Sequence, residues 1–164
     1  MPPGYRRFGA FIVENWELLG RPCDKRTVDR ALSFTQERKD AFSPDSSVLV
    51  HGDAHALNTL TVLARDGKSS ERCKFVDPDG LFAERACDLA VPMREWSGEL
   101  ITGQTVTLAK KRCEFLAELS DVDSRAIWQW GFIERVSTGL ALLAIGMKDE
   151  GFESLIVADR LRDA

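Results

Sequence analysis

Residues 47–64 read SVLVHGDAHALNTLTVLA, and this stretch decides how the chain is organised. Val48, Leu49 and Val50 make a short apolar run rich in β-branched side chains. Residues 58–64 alternate branched side chains in the same way, and a polar loop from His51 to Asn58 lies between the two. Short branched runs bounded by polar punctuation read as strands. Beyond them, RDGKSSER at 65–72 reads as a polar hairpin tip and CKFVD at 73–77 as a third short strand. The expectation is a small antiparallel β element around 48–77.

Outward in both directions the pattern turns helical. Phe8, Phe11, Ile12, Trp16 and Leu19 recur at helical steps and build one apolar face. Gly20 and Pro22 stop that helix, and Asp24 is placed to cap the next, whose stripe is Val28, Ala31, Leu32, Thr35 and Phe42. SPDSS at 43–47 is a turn cluster. After the β element, Asp88 is placed to cap DLAVPMREW. Helices are predicted over 104–119 and 124–147, and FESLIVADRLRDA is predicted as a short amphipathic helix. The fold class expected is α+β, mostly helical, in one domain spanning 1–164.

Composition narrows the function classes. The 164 residues carry 22 Lys and Arg against 26 Asp and Glu, a net charge of −4, which argues against a nucleic-acid or anionic-membrane surface. A hydrophobic fraction of 44% is that of a folded chain and excludes intrinsic disorder. Cys23, Cys73, Cys87 and Cys113 form no CxxC pair, so a structural zinc site is not expected. They read mostly as small core hydrophobes of a reducing compartment. No leader pattern opens the chain, and no run approaches the roughly 20 apolar residues that span a bilayer. A soluble, cytoplasmic protein is expected.

The chemistry concentrates between residues 51 and 88. Both histidines of the chain, His51 and His55, lie in the loop that also carries Asp53 and Asn58. Loops held by a rigid scaffold are where reacting groups collect. An Asp and an Asn five apart in a tight loop can face one cavity. The Asp can take a hydroxyl proton, and the Asn can ligate a hard cation through its amide oxygen. A carboxylate at the end of a neighbouring strand, Asp77 in FVDPDG, would complete a Mg²⁺ site, because Mg²⁺ takes a few protein oxygens plus phosphate oxygens. A base, two metal-holding side chains and a metal are the parts of phosphoryl transfer.

HGDAHALN, then FVDPDG, then Asp88-Leu89-Ala90 resembles the catalytic and metal-binding segments of the aminoglycoside phosphotransferase family, the small-molecule relatives of protein kinases. The family's usual form is HGDxHxxN, then an Asp after an apolar strand, then DLA. The stretch DPDGLFAERACDLA is closest to the streptomycin and hydroxyurea phosphotransferase branch, which reads like DPKxLxGExAYDLA. The resemblance covers residues 48–90. It implies an ATP-dependent kinase of a small-molecule hydroxyl, an aminoglycoside such as streptomycin or a similar compound, with Mg²⁺ and ATP as cofactors.

Carried over by position, Asp53 is the catalytic base, and Asn58 and Asp77 hold Mg²⁺ on the nucleotide phosphates. His51, His55 and Asp88 support the loop, and Asp79 and Glu84 are candidates for substrate contact, although exposed loop acids are more often simply solvated. Glu134, Asp149, Glu150 and Glu153 read as a wet face, and the four Trp as core or half-buried. Ala54 replaces a common Leu and Ala56-Leu57 a common Pro-Gly; Asp79 stands where the branch has Lys, which reverses a charge beside the metal Asp. No Gly-rich loop or VAIK-like strand precedes His51. The resemblance therefore implies the C-terminal, catalytic and substrate-binding lobe alone, with the N-terminal nucleotide lobe absent, and leaves the activity of the isolated chain open. Such a lobe would expose an apolar patch and self-associate. Two other readings stand beside it: a metal-dependent phosphoesterase using Asp53, His55 and Asp77, and a non-catalytic kinase-like remnant.

Overall fold

The N-terminal helical period becomes two helices, α1 (Pro3–Leu18) and α2 (Lys25–Asp40), in a computed structural model that describes residues 3–63 and 69–164. Asp24 caps α2 as its position suggests, its carboxylate accepting from the Arg26 amide at 2.9 Å. The stop between the helices is a left-handed pair, Gly20 (φ 74°) and Arg21 (φ 63°). There the Trp16 indole donates to the Cys23 carbonyl at 3.0 Å and pins the turn to α1.

The β element differs from the expectation. Four strands form, β1 (Ser47–Val50), β2 (Thr59–Leu63), β3 (Ser69–Phe75) and β4 (Leu81–Glu84), as two separate antiparallel pairs. β1 pairs with β4, Ser47 opposite Glu84, and β2 with β3, Thr59 opposite Phe75. The strand at 81–84 lies beyond the 48–77 element that the sequence predicts. β3 begins at Ser69, inside the stretch that reads as a hairpin tip, and positions 65–68 of that tip lie outside the described residues. β1 buries only Val50 and β4 only Ala83, and Leu49, Leu57, Leu60, Leu63 and Phe75 stand exposed on or beside the strands. A two-stranded ribbon is marginal by itself; the β1–β4 ribbon is held to the helical core through Val50 and Ala83 and through the bonds of Glu84 to Arg38 and Trp130.

The helical part continues with α3 (Ala86–Ala90), a 3₁₀ turn at Val91–Arg94, α4 (Ser97–Thr102), α5 (Thr105–Ser120), α6 (Ser124–Ala144) and α7 (Lys148–Leu161). α3 starts two residues before Asp88, so Asp88 sits inside that helix and is not its cap. α7 starts earlier than FESLIVADRLRDA suggests, at Lys148. α6 is the axis of the domain, packed by α1, α2, α3, α5 and α7. Ile127, Trp130, Ile133, Val136 and Leu140 on it are fully or almost fully buried. Each such side chain contributes about 1.5–3 kcal/mol relative to exposure, so this row outweighs anything the strands bury. Phe34 meets Phe132 edge-on at 5.6 Å, and Phe8 meets Trp130 at 5.8 Å.

Trp16 and Trp130 are core, Trp128 is half-buried and Trp96 is mostly exposed. Cys87 and Cys113 are the small core residues expected, whereas Cys73 is exposed on β3. Asp149, Glu150 and Glu153 form the wet face of α7. Glu134 does not: it is buried on α6, among the residues the helix turns inward. Among the described residues no helix is long and apolar enough to cross a membrane.

Candidate active site

The loop between β1 and β2 passes from one ribbon to the other, and its shape is set from two sides. The Asp88 carboxylate, on α3, accepts from the backbone amides of His51 and Gly52, both at 2.7 Å. Two amides that β pairing leaves without a strand partner are satisfied by one charged group, in bonds shorter than neutral ones. Gly52 has φ 87°, and a Cβ there would sit 3.0 Å from the Asp79 side chain and 3.1 Å from that of Leu81. Only glycine fits that turn against the following segment.

His51 ties the loop to the chain that leaves β3. Its Nδ1 accepts from the Asp53 amide at 3.3 Å, which leaves the ring proton on Nε2, facing the Val76 carbonyl at 3.0 Å. The His51 carbonyl accepts from the Gly80 amide at 3.1 Å, and the imidazole lies edge-on to Phe75 at 5.5 Å. The Val76 amide donates to the Asn58 carbonyl at 2.9 Å, which carries the β2–β3 ladder one step further, to the residue before Asp77. Asp77 has φ 58°, a left-handed conformation that costs a non-glycine residue and collects at functional positions.

The side chains of the loop converge on Asp53. Its Oδ2 accepts from His55 Nε2 at 3.1 Å and from Asn58 Nδ2 at 3.2 Å, while Asn58 Nδ2 also reaches the Asp53 carbonyl at 3.0 Å. His55 Nδ1 accepts from the Leu57 amide at 3.2 Å. Both ring nitrogens of His55 are thus occupied within the loop, which disfavours it as a metal ligand. Asp53 Oδ1 accepts a short bond from Arg94 Nη2, and Arg94 Nη1 reaches Glu134 Oε2 at 2.8 Å.

Arg94 and Glu134 are the two site residues that sequence reasoning missed. Glu134 sits on a helix apolar on nearly every side, so a charged residue there needs a partner, and that was the available signal. Burial pushes the Glu134 carboxyl above its ordinary range; Arg94 opposes this, and Asp53 and Asp79 add to it. Burial works against the Arg94 guanidinium, but Glu134 and Asp53 outweigh it and hold the charge more firmly than usual. The turn that carries Arg94 is nailed to α6. Arg135, its guanidinium lowered to about 10 by burial, donates to the carbonyls of Met93 at 2.5 Å and Glu95 at 3.1 Å and to Ser97 Oγ at 2.8 Å. At Gly131 a Cβ would lie 2.6 Å from that of Met93, so the turn and α6 touch backbone to side chain.

Asp53, Arg94 and Glu134 open on a cleft of about 810 Å³, with Asp79 at its rim and Trp130 and Phe82 among its apolar walls. Three carboxylates against one guanidinium leave the cleft acidic. Asp79 lines that cleft and is exposed at its rim. Glu84 does not: it lies in β4, accepting from Trp130 Nε1 at 2.7 Å and from Arg38 at 3.4 Å, bound into the packing between α2 and α6. Neither Asn58 nor Asp77 is among the residues that line the cleft; Asn58 meets Asp53, which is.

Whether these residues suit Mg²⁺ is a matter of donor chemistry. Asn58 spends its Nδ2 within the loop, which leaves the amide oxygen, the ligating atom, uncommitted; the exposed Asp77 adds a carboxylate. Among the described residues no group of three or more His, Cys, Asp or Glu gathers to hold a metal by itself. That is a poor cage for a resident ion and a fitting one for Mg²⁺ delivered with phosphate oxygens. No known family model matches the chain, and neither does a curated protein or a solved structure.

Proposed function

We propose that the chain handles acceptor and metal in an ATP-dependent phosphotransferase that passes the γ-phosphate to a hydroxyl of a small molecule. The observation that carries the reading is one convergence: the Asp53 carboxylate lines an acidic cleft and also accepts from Asn58 Nδ2, which leaves the Asn58 amide oxygen for a cation. Acceptor and phosphate donor would meet across that one side chain.

In this reading the acceptor lies in the cleft with a hydroxyl against Asp53. Asp53 orients the hydroxyl and takes its proton as the acceptor oxygen forms its bond to the γ-phosphorus. The bond to the β–γ bridging oxygen breaks, and ADP leaves with that electron pair. Asn58 and Asp77 would hold Mg²⁺, which when bound would neutralise charge on the phosphate oxygens. Asp88 and His51 keep the loop in place. The acidic lining with Trp130 and Phe82 suits a cationic, ring-containing acceptor of the aminoglycoside kind, drawn in by charge.

Calorimetric titration with ATP, with and without Mg²⁺, tests the reading. Binding is expected only with Mg²⁺; Asp77→Asn should weaken it and Asp53→Asn should leave it nearly unchanged. In phosphoryl transfer to a cationic aminosugar, Asp53→Asn should lower turnover by about 10²–10⁴-fold, the usual worth of a general base. Wild-type turnover in that variant, or binding indifferent to Mg²⁺, would refute the assignment. No binding at all would favour a non-catalytic domain.

A further inference from the structure

The loop that carries Asp53 joins two ribbons that share no strand, and it turns on a left-handed glycine. The partners of Asp53 Oδ2, His55 and Asn58, belong to that same loop and move with it. Among the described contacts of the Asp53 side chain, the one that leaves the loop runs through Arg94 to Glu134. Arg94 sits on a turn clamped by Arg135, and Glu134 on the buried axis helix α6. The side chains of Arg94 and Glu134 are 16% and 7% exposed, against 31% for Asp53, so the tie runs from the rim of the cleft into the core.

Resting on the reading of Asp53 as the base, we propose that Arg94 and Glu134 are a positioning pair: Glu134 is the anchor, Arg94 the arm, and together they fix the Asp53 carboxylate in the one rotamer that faces the cleft. The planar fork of an arginine spans two carboxylates at once, which the single ammonium of a lysine does not reproduce. Glu134 also keeps Asp53 from being the sole counterion of the guanidinium. Without that second carboxylate, Arg94 is free to follow Asp53 wherever the loop takes it. The arrangement places the base by geometry built on the core rather than on the loop, which is where a site gains its accuracy.

Three-bond carbon–carbon and carbon–nitrogen NMR couplings across the Asp53 χ1 bond read the rotamer directly and need no substrate. The wild-type chain should show one rotamer. Arg94→Lys and Glu134→Ala should show averaging over several, while Glu134→Gln, which can still accept from Arg94, should restore one. Amide shifts on α7 that match wild type establish that each variant is folded; should Glu134→Ala not fold, Arg94→Lys decides alone. A single retained rotamer in Arg94→Lys overturns the proposal. With a cationic aminosugar as acceptor, the two loosened variants should lose about 10–100-fold in kcat with KM within about twofold. Failure of the phosphotransferase reading looks different: rotamers that loosen as stated in a chain that neither binds Mg-ATP nor turns over.

Discussion

Removing the Asp88 carboxylate should unfasten the active loop, and the structure sets the size of the effect. Asp88 receives two backbone N–H groups at 2.7 Å, from His51 and Gly52. A hydrogen bond to a charged group contributes about 1.5–3 kcal/mol. The site is partly open to water, so the lower half of that range applies to each bond. Asp88→Ala forfeits both and should cost about 4 kcal/mol. Asp88→Asn keeps one acceptor oxygen and should cost about 2 kcal/mol. For a domain of this size each kcal/mol corresponds to about 3 °C, so the two variants should melt about 12 and 6 °C below wild type. Urea unfolding followed by tryptophan fluorescence measures the cost, and amide hydrogen exchange locates it. In Asp88→Ala the amides of His51 and Gly52 should lose their protection while those of α6 exchange at a rate set by global stability. A cost below about 1 kcal/mol, or unaltered exchange at these two amides, would refute the reasoning that one carboxylate holds both.

Two further outcomes follow from burial. Burial holds the thiols of Cys23 and Cys113 up at about 12 and that of Cys87 higher still, with nearby carboxylates adding to it, whereas Cys73 is exposed. A disulfide reagent at pH 8 should therefore modify Cys73 in the folded chain and reach the others only after unfolding; equal rates at Cys73 and Cys87 would contradict the packing. Glu134 has its folded pKa raised, so the folded state holds the extra proton and the unfolded state does not. Stability is then full below the ordinary carboxylate range and is lost as pH rises through the elevated value. Across that window the urea midpoint of wild type should fall relative to Glu134→Gln; parallel pH curves for the two would count against the buried charge.

The helical scaffold was legible in the sequence because each helix carries its own punctuation, as at Asp24 or the Gly20–Arg21 turn. The β element was legible only in part. Leu81–Glu84 is four residues long and follows a Pro-Asp-Gly turn, so nothing local separates it from loop, and pairing of β1 with β4 rather than β2 is a tertiary choice. At the candidate site, the convergence of Asp53, His55 and Asn58 is local and could be read from spacing. Arg94 and Glu134 lie 41 and 81 positions from Asp53 in a chain numbered 53, 94 and 134, and no periodicity links them. Glu134 was misread because a charged residue on a helix is normally wet; α6 is buried all round, and that only tertiary packing reveals. Asp88 reads both as a cap and, through the resemblance, as a support of the loop; the helix begins at Ala86, so it is no cap, and its carboxylate accepts from the loop amides of His51 and Gly52.

The cleft takes one wall from α6, through Trp130, Glu134, Ser137 and Thr138, and the opposite rim from Asp79 and Phe82, which are exposed. A change on the α6 wall is also a change in the core of the domain, where added or lost volume costs about 1–5 kcal/mol. A change at the rim costs little. Under the proposed phosphotransferase reading, divergence or engineering of acceptor range is thereby channelled: changes at positions 79 and 82 cost little stability, and changes on the helix cost much. A library that randomised both walls equally would recover its folded members mostly from the rim.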